Sequence, residues 1–242
     1  MRINKKIAKI KHLVTNQVIN SNQHKLVIGI SGGVDSAVTL ALLISWFGKD
    51  KILPYYLPIE QKTDFDDVLL LGQQLKIQIQ VVDLTNEFID LKNKFNFHNQ
   101  INISNIKSRL RAMFLYGVAL ENNGLVVGCL NYDEYYLGYF TKYGDSCADI
   151  FPIINFCKSE IYQVAKMYNL PQNIINKKPS AGLYPNQTDE QELGLKYSEI
   201  DDFLWRKKIN SAIASKIKEI KRKNSHKHLL NSFLIKNKLR KI

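Results

Sequence analysis

The order of apolar runs and glycines around residue 30 constrains this chain most. Leu26-Val27-Ile28-Gly29-Ile30 and Ala37-Val38-Thr39-Leu40-Ala41-Leu42-Leu43 are apolar, and Ser31-Gly32-Gly33-Val34-Asp35-Ser36 stands between them. That order reads as a strand, a tight glycine turn and a helix. Adjacent glycines let successive backbone N–H groups turn toward one point, and the helix that follows aims the positive end of its dipole there. The serines add hydroxyl donors. Such a turn cradles phosphate, although it lacks the lysine of the G-x-x-x-x-G-K-[ST] loop. Asp35 would repel phosphate unless Mg²⁺ sat between the two.

The pattern repeats along the first half of the chain. Apolar positions at helical spacing mark a helix over 3–20, and strands are expected at 25–30, 52–57, 77–82 and 125–129. Helices are expected at 37–47, closed by Gly48, at 64–75, and from the N-cap Ser104 to Glu121, with a polar stretch over 92–103. This β-α-β alternation predicts an α/β fold with a parallel sheet flanked by helices. Ligands of such sheets lie beyond the carboxyl ends of the strands, where the 31–36 turn sits. From Asn131 onward the pattern changes to loops and helices, at about 159–168, 197–207 and 209–223. No repeat and no clear domain boundary divides residues 1–242, so one domain is expected, with a basic helical segment from about 206.

Charge is unevenly placed. Residues 206–242 hold 13 Lys/Arg and one acid, Glu219; of the chain's 34 basic and 22 acidic residues, 21 of each therefore remain in 1–205. A segment of that kind suits a phosphate-bearing partner or a solvated helix face. No apolar run approaches the ~18–20 residues that span a bilayer. Cys129, Cys147 and Cys157 are too far apart for a C-x-x-C pair and read as free thiols in a reducing cytoplasm.

The 31–36 turn resembles the pyrophosphate-binding S-G-G-x-D-S loop of the N-type ATP pyrophosphatases, which have an adenine-nucleotide α-hydrolase-like fold. The segment Gly138-Tyr139-Phe140-Thr141-Lys142-Tyr143-Gly144-Asp145 is more specific. Together with Val126-Val127-Gly128, Asp149-Ile150, Lys177-Lys178-Pro179-Ser180-Ala181-Gly182-Leu183 and Ile200-Asp201-Asp202-Phe203-Leu204, it resembles ammonia-dependent NAD synthetase from about Val27 to Leu204. The resemblance implies a ligase. ATP adenylates the nicotinate carboxylate of deamido-NAD, pyrophosphate leaves, and ammonia displaces AMP to give NAD⁺.

The same resemblance assigns roles. Asp35 and Glu134, eleven residues before Asp145, would hold Mg²⁺; Asp133 beside Glu134 reads as a solvated acid. Ser31, Gly32, Gly33 and Ser36 would hold the departing pyrophosphate, with Gly29, Ile30 and Val34 in the same ATP-binding stretch. Lys158 would contact the ATP phosphates and, with Asp35, carry the catalysis. Ser180 and Cys129 complete the nucleotide set, each with a departure: serine and cysteine stand where the family commonly has threonine. Arg109, Lys142, Asp149 and the pair His226-Lys227 would contact deamido-NAD. A homodimer follows by the same resemblance; the helix from Ser104 to Glu121 is a candidate for its interface or, alternatively, a buried core helix. A length of 242 residues leaves no room for the amidohydrolase domain of the glutamine-using relatives, so free ammonia is the expected nitrogen source. Alternatives are another ATP pyrophosphatase (GMP synthetase-like, or a tRNA thiolase) and an RNA-binding module that uses the basic tail. Membrane is not an expected partner, and nucleic acid is the less favoured one.

Overall fold

The computed structural model describes residues 2–62, 64–180 and 188–228. Its centre is a parallel sheet of β1 (Lys25–Gly29), β2 (Ile52–Tyr56), β3 (Gln80–Val81) and β4 (Gly124–Val127), in the order β3-β2-β1-β4. Val27 of β1 pairs with Leu53 of β2 on one side and Val126 of β4 on the other. Successive side chains of β1 therefore serve two cores. Leu26 and Ile28 join a cluster with α1 (Arg2–Ser21), α2 (Val34–Phe47), α7 (Lys158–Met167) and α8 (Gln172–Asn176). Val27 and Val126 join a second with α4 (Thr85–Phe95) and α5 (Gln100–Glu121). Burial on both faces explains why β1 reads as an unbroken apolar run rather than an alternating one.

The strand order reverses at β1. The chain runs outward through β2 and β3, with α3 (Phe65–Leu75) between them, then returns to place β4 on the free side of β1. The carboxyl ends of β1 and β4 thus form a topological switch point, the place where open α/β sheets bind ligands. The outer side of β4 is covered by residues 149–150: Asp149 N–H donates to Val126 O at 2.9 Å and Gly128 N–H to Ile150 O at 2.9 Å.

A third cluster lies beyond the sheet. Leu137 of α6 (Tyr132–Leu137), Leu193 of α9 (Asp189–Leu193), Tyr197 and Ile200 of α10 (Tyr197–Leu204) and Ile217 of α11 (Ser211–Lys223) pack together. The basic helix α11 is thereby docked through Ile213, Ile217 and Ile220, which recur at helical spacing, while its lysines face water. Among the described residues, no helix is long and apolar enough to cross a membrane.

Three elements differ from the sequence expectation. The stretch 92–103 is not irregular: α4 runs to Phe95, ended by Asn96 in the left-handed region, and α5 begins at Gln100. Asn99 caps α5, its side chain accepting from Asn102 N–H at 3.1 Å, whereas Ser104 is buried inside the helix. Both residues are cap formers; packing chooses between them, because starting at Gln100 puts Ile103 and Ile106 into the second core. The expected strand 77–82 shrinks to Gln80–Val81, because Ile77 N–H turns back to Gly72 O (3.0 Å) and ties its segment to the end of α3. The helix expected over 197–207 stops at Leu204, where Arg206 takes a positive φ of 58°.

Phe88 is the only residue of the charged helix α4 that is buried, at 0 % exposure, with the Lys107 ammonium 5.0 Å from its ring centre. Phe88→Ala is expected to cost about 3–5 kcal/mol of stability, as large-to-small changes of aromatic core residues do. Urea denaturation measures it; an unchanged midpoint would mean that α4 is not docked on Phe88.

Candidate active site

The glycine turn after β1 is held from three sides. Ile30 N–H donates to Tyr55 O at 2.7 Å, tying it to β2. The Ser36 hydroxyl donates to Gly33 O at 3.0 Å and accepts from Ser31 N–H at 3.2 Å, while Gly33 N–H donates to the Ser31 hydroxyl at 3.2 Å. Gly32 has φ +80°, and a Cβ there would lie 2.6 Å from Asp64 Cβ, so conformation and space both require glycine. Gly33 is the N-cap of α2, and no side-chain bond caps that helix end. The first N–H groups of α2 thus point out of the turn together with the positive end of the dipole, a site for an anion.

Asp35 lies in the first turn of α2 and faces residues that follow β4. Asn131 Nδ2 donates to its Oδ1 at 3.0 Å, and the Lys158 ammonium to its Oδ2 at 2.5 Å. Asn131 also begins α6 in a capping box: it accepts from Glu134 N–H (3.0 Å), and Glu134 Oε2 accepts from Asn131 N–H (3.2 Å). That box aims the other oxygen of Glu134 inward, 4.0 Å from Lys158 Nζ. Two carboxylates from α2 and α6 therefore converge on one lysine from α7, which is only 2 % exposed. Burial by itself lowers the lysine's pKa, but the charges of Asp35 and Glu134 outweigh it, and the ammonium is held above its ordinary range. Glu134 is pushed well above the usual carboxylate range, first by burial and then by the charge of Asp35.

Asp133, expected in solvent, is instead 0 % exposed, and its Oδ2 accepts the backbone N–H of Lys158 at 2.6 Å. Burial, and then the charge of Asp201, raise its pKa to about 8. The solvated reading of Asp133 is corrected by its burial, and Asn131 escaped the sequence reading, although the N-Y-D-E spacing of a capping box was visible. Asp64, Asp67 and Lys177 escaped it too. Lys177 bonds Asp64 and, at 2.7 Å, Asp67, which pins the chain leading to Ser180 beside the residue that abuts Gly32. Ser180 itself is exposed. Ala181, Gly182 and Leu183 lie outside the described residues.

Cys129 follows β4, with its sulfur 4.0 Å from Gly29 O, so it bridges the ends of the two strands at the switch point. Burial pushes this thiol up to about 12, which keeps it protonated.

The residues expected to meet the second substrate are brought only partly together. Arg109 Nε donates to Lys142 O at 3.2 Å, so these two adjoin. Both oxygens of Asp149 are engaged within the chain, accepting from Val126 N–H (2.8 Å) and Tyr116 OH (3.3 Å). Lys227 is also engaged, donating to Gly138 O (2.9 Å) and Phe140 O (2.8 Å) in the loop that leads to Lys142. Asn224 supports that docking by donating to Leu137 O at 2.9 Å, and Gly138 (φ +66°) leaves it room, since a Cβ there would lie 2.5 Å from Asn224 Cβ. His226 is exposed, its ring beside Lys223 O.

Comparison with known proteins places the chain in a family. A family model described as NAD synthase matches residues 6–233. The NH(3)-dependent NAD(+) synthetase of Mycoplasmopsis pulmonis is 44% identical over 218 residues, 89% of this chain and 84% of that protein. The NH(3)-dependent NAD(+) synthetase of Finegoldia magna is 40% identical over 87% of this chain and 89% of its own. Among solved structures, an NMN synthetase from Francisella tularensis superposes with a TM-score of 0.87 at 34% identity, covering 94% of this chain and 96% of that one. A glutamine-dependent NAD+ synthetase from Acinetobacter baumannii shares the fold, with a TM-score of 0.68 at 18% identity; 94% of this chain covers 45% of that one. The family model and these relatives run along nearly the whole chain, and the chain belongs to the NAD synthase family.

Proposed function

We propose that this protein is an ammonia-dependent NAD synthetase, a ligase that uses ATP to turn the nicotinate carboxylate of deamido-NAD into the amide. The observation that carries the reading is the convergence of Asp35, Glu134 and Lys158 at the switch point, beside the uncapped N-terminus of α2. ATP would lie with its triphosphate on the 31–36 turn. N–H groups of α2 and the hydroxyl of Ser31 would take the β and γ phosphates, the part that departs as pyrophosphate, while the buried Ser36, whose hydroxyl donates to Gly33 O, shapes the turn around them. The substrate carboxylate attacks the α phosphorus, and the Lys158 ammonium is placed to neutralise charge that builds on the phosphate oxygens in that step. Ammonia then attacks the acyl adenylate, and AMP leaves.

Asp35 and Glu134 fit a bound Mg²⁺. They offer hard oxygen ligands from two elements, and the cation now between them is the Lys158 ammonium. When bound, the metal would offset triphosphate charge and polarise the phosphate being attacked. Asn131 fixes one oxygen of Asp35, and the capping box fixes one of Glu134, so each acid keeps one oxygen turned to the site.

Arg109, Lys142 and the docked 224–228 segment are the side of the molecule we assign to the second substrate, with Lys227 shaping the 138–140 loop and His226 free to reach the ligand. The exposed Met113 and Leu120 of α5 support this helix as the interface of a homodimer. All three cysteines are free, in keeping with a reducing cytoplasm. One assay tests the whole reading: ATP, Mg²⁺, ammonium and deamido-NAD, followed for NAD⁺, AMP and pyrophosphate. A second acceptor is supported by the likeness to the Francisella tularensis NMN synthetase: nicotinate mononucleotide, amidated by the same steps. Running both acceptors side by side decides between them by kcat/KM; turnover of neither sinks the synthetase reading.

Three outcomes are expected. Asp35→Asn and Glu134→Gln should each lower kcat by ~10²-fold or more, since charge stabilisation through a metal is worth several kcal/mol; wild-type turnover at saturating Mg²⁺ removes that residue from the metal site. Ammonium should support turnover and glutamine should not, in line with the NH(3)-dependent relatives; efficient glutamine use by the purified chain would refute this. His226→Ala should raise KM for the dinucleotide about tenfold, the loss of one charge-assisted contact of roughly 1.5–3 kcal/mol, and leave KM for ATP unchanged. Equal effects on both constants would take His226 out of the dinucleotide site.

A further inference from the structure

The start of α7 is gripped by acids that touch neither the glycine turn nor its lysine's head. Lys158 N–H donates to Asp133 Oδ2 (2.6 Å), and Ser159 N–H donates to Asp201 Oδ2 (3.1 Å). Cys157 N–H donates to Glu160 Oε2 (3.0 Å), which also pairs with Lys6 of α1 at 2.6 Å. Three consecutive N–H groups, which a helix start leaves unpaired, thus each meet a carboxylate, as the helix dipole favours. The two aspartates come from α6 and α10, elements far apart in the chain.

A pattern joins them. α6 supplies Glu134 to the ammonium of Lys158 and the adjacent Asp133 to its backbone. α10 supplies Tyr197, whose ring centre lies 4.9 Å from the same ammonium, and one turn later Asp201 to the next N–H. Each flanking helix therefore holds the head of Lys158 with one residue and the first turn of α7 with another. The second oxygens of Asp133 and Asp201 are buried and have no partner among the described residues. Both lie in one cluster with Cys157, whose ligand-type atoms are all within 4.8 Å of one another. Burial raises the Cys157 thiol above its ordinary range, so it offers no thiolate.

We propose that Asp133 and Asp201 are positioning residues, a paired carboxyl clamp that fixes the first turn of α7 and thereby aims the Lys158 ammonium at the triphosphate site. The proposal rests on the assignment of Lys158 above, and the test separates the two. Four variants of the full chain are compared: Asp201→Ala, Asp201→Asn, Lys158→Met, and Lys158→Met with Asp201→Ala. Folding is followed by circular dichroism and urea midpoint.

Lys158→Met is expected to lose ~10²-fold or more in kcat. Asp201→Ala is expected to lose about tenfold or more in kcat, because small misplacements of a catalytic group are costly, with KM for the dinucleotide within about twofold. Asp201→Asn keeps an acceptor for Ser159 N–H and offers its amide N–H to the buried second oxygen of Asp133, so it should stay within about threefold of wild type. In the Lys158→Met background, Asp201→Ala should cost nothing further in kcat, since it acts through the lysine already removed.

Full additivity of the two losses, or an Asn variant as poor as the Ala variant, overturns the clamp. Wild-type turnover of Lys158→Met overturns the role of the lysine instead. Should Asp201→Ala not fold, the near-isosteric Asp133→Asn/Asp201→Asn double variant takes its place. It sets two amide NH₂ groups against each other and should lose what neither single Asn variant loses; a fully active double variant overturns the clamp. Retention of one zinc ion per chain after dialysis, lost in Asp201→Asn, would also overturn it and make the cluster a metal site.

Discussion

A charged lysine with almost no contact with water is the constraint around which the rest of this structure is arranged. An ammonium taken out of water is strongly unfavourable unless charge and hydrogen bonds replace the solvent. Lys158 meets that condition with Asp35 at 2.5 Å, Glu134 at 4.0 Å and the ring of Tyr197. These partners sit on α2, α6 and α10, so one side chain requires three helices to meet at one point. The sheet makes the meeting possible. β1 delivers α2, β4 delivers α6, and the reversal of strand order puts both at the same edge of the crevice. With both acids ionised, as a bound metal would hold them, two carboxylates and one cation sum to one negative charge. That charge can hold a divalent cation, and with it a polyphosphate that the acids alone would repel.

Much of this was legible in the sequence, for a physical reason. The glycine turn is local: Gly32 must be glycine because of its own φ and its approach to Asp64, and the flanking apolar runs announce a strand and a helix. Asp35, Glu134 and Lys158 came from a resemblance in motif and spacing, and they converge in the folded chain. What escaped was set by tertiary contact. Helix α4 buries only Phe88 fully, with Leu91 packed beside it, and its last turn is polar, so its end merges with the polar stretch that follows. Ser104 and Asn99 have similar cap propensity, and only the burial of Ile103 and Ile106 decides between them. Asp133 looks like a surface acid because its partner, the N–H of Lys158, lies 25 residues away. Asp64 and Lys177 are farther apart still, 113 residues, and no local rule links them.

The basic tail separates into parts once the fold is known. α11 is docked by an isoleucine stripe onto the third core, so its lysines are the solvated face of an amphipathic helix, and their number is not by itself a ligand signal. Lys227 differs. It spends its charge on two backbone carbonyls of the 138–140 loop, which fixes the loop leading to Lys142 and Arg109.

This division bears on acceptor choice. In the proposed arrangement adenylation asks the same of Asp35, Glu134 and Lys158 whether the carboxylate belongs to a mononucleotide or a dinucleotide, because those groups would meet only the triphosphate. Discrimination must come from contacts that one acceptor makes and the other cannot. In this chain the groups outside the triphosphate site that converge on one region are Arg109, Lys142 and the loop stapled by Lys227, with His226 exposed beside it. The rigid switch point can therefore be shared by relatives of different specificity, such as NAD and NMN synthetases. On the proposed assignment the staple could vary at the expense of the second substrate's affinity alone, because it makes no contact with the charges that hold Lys158.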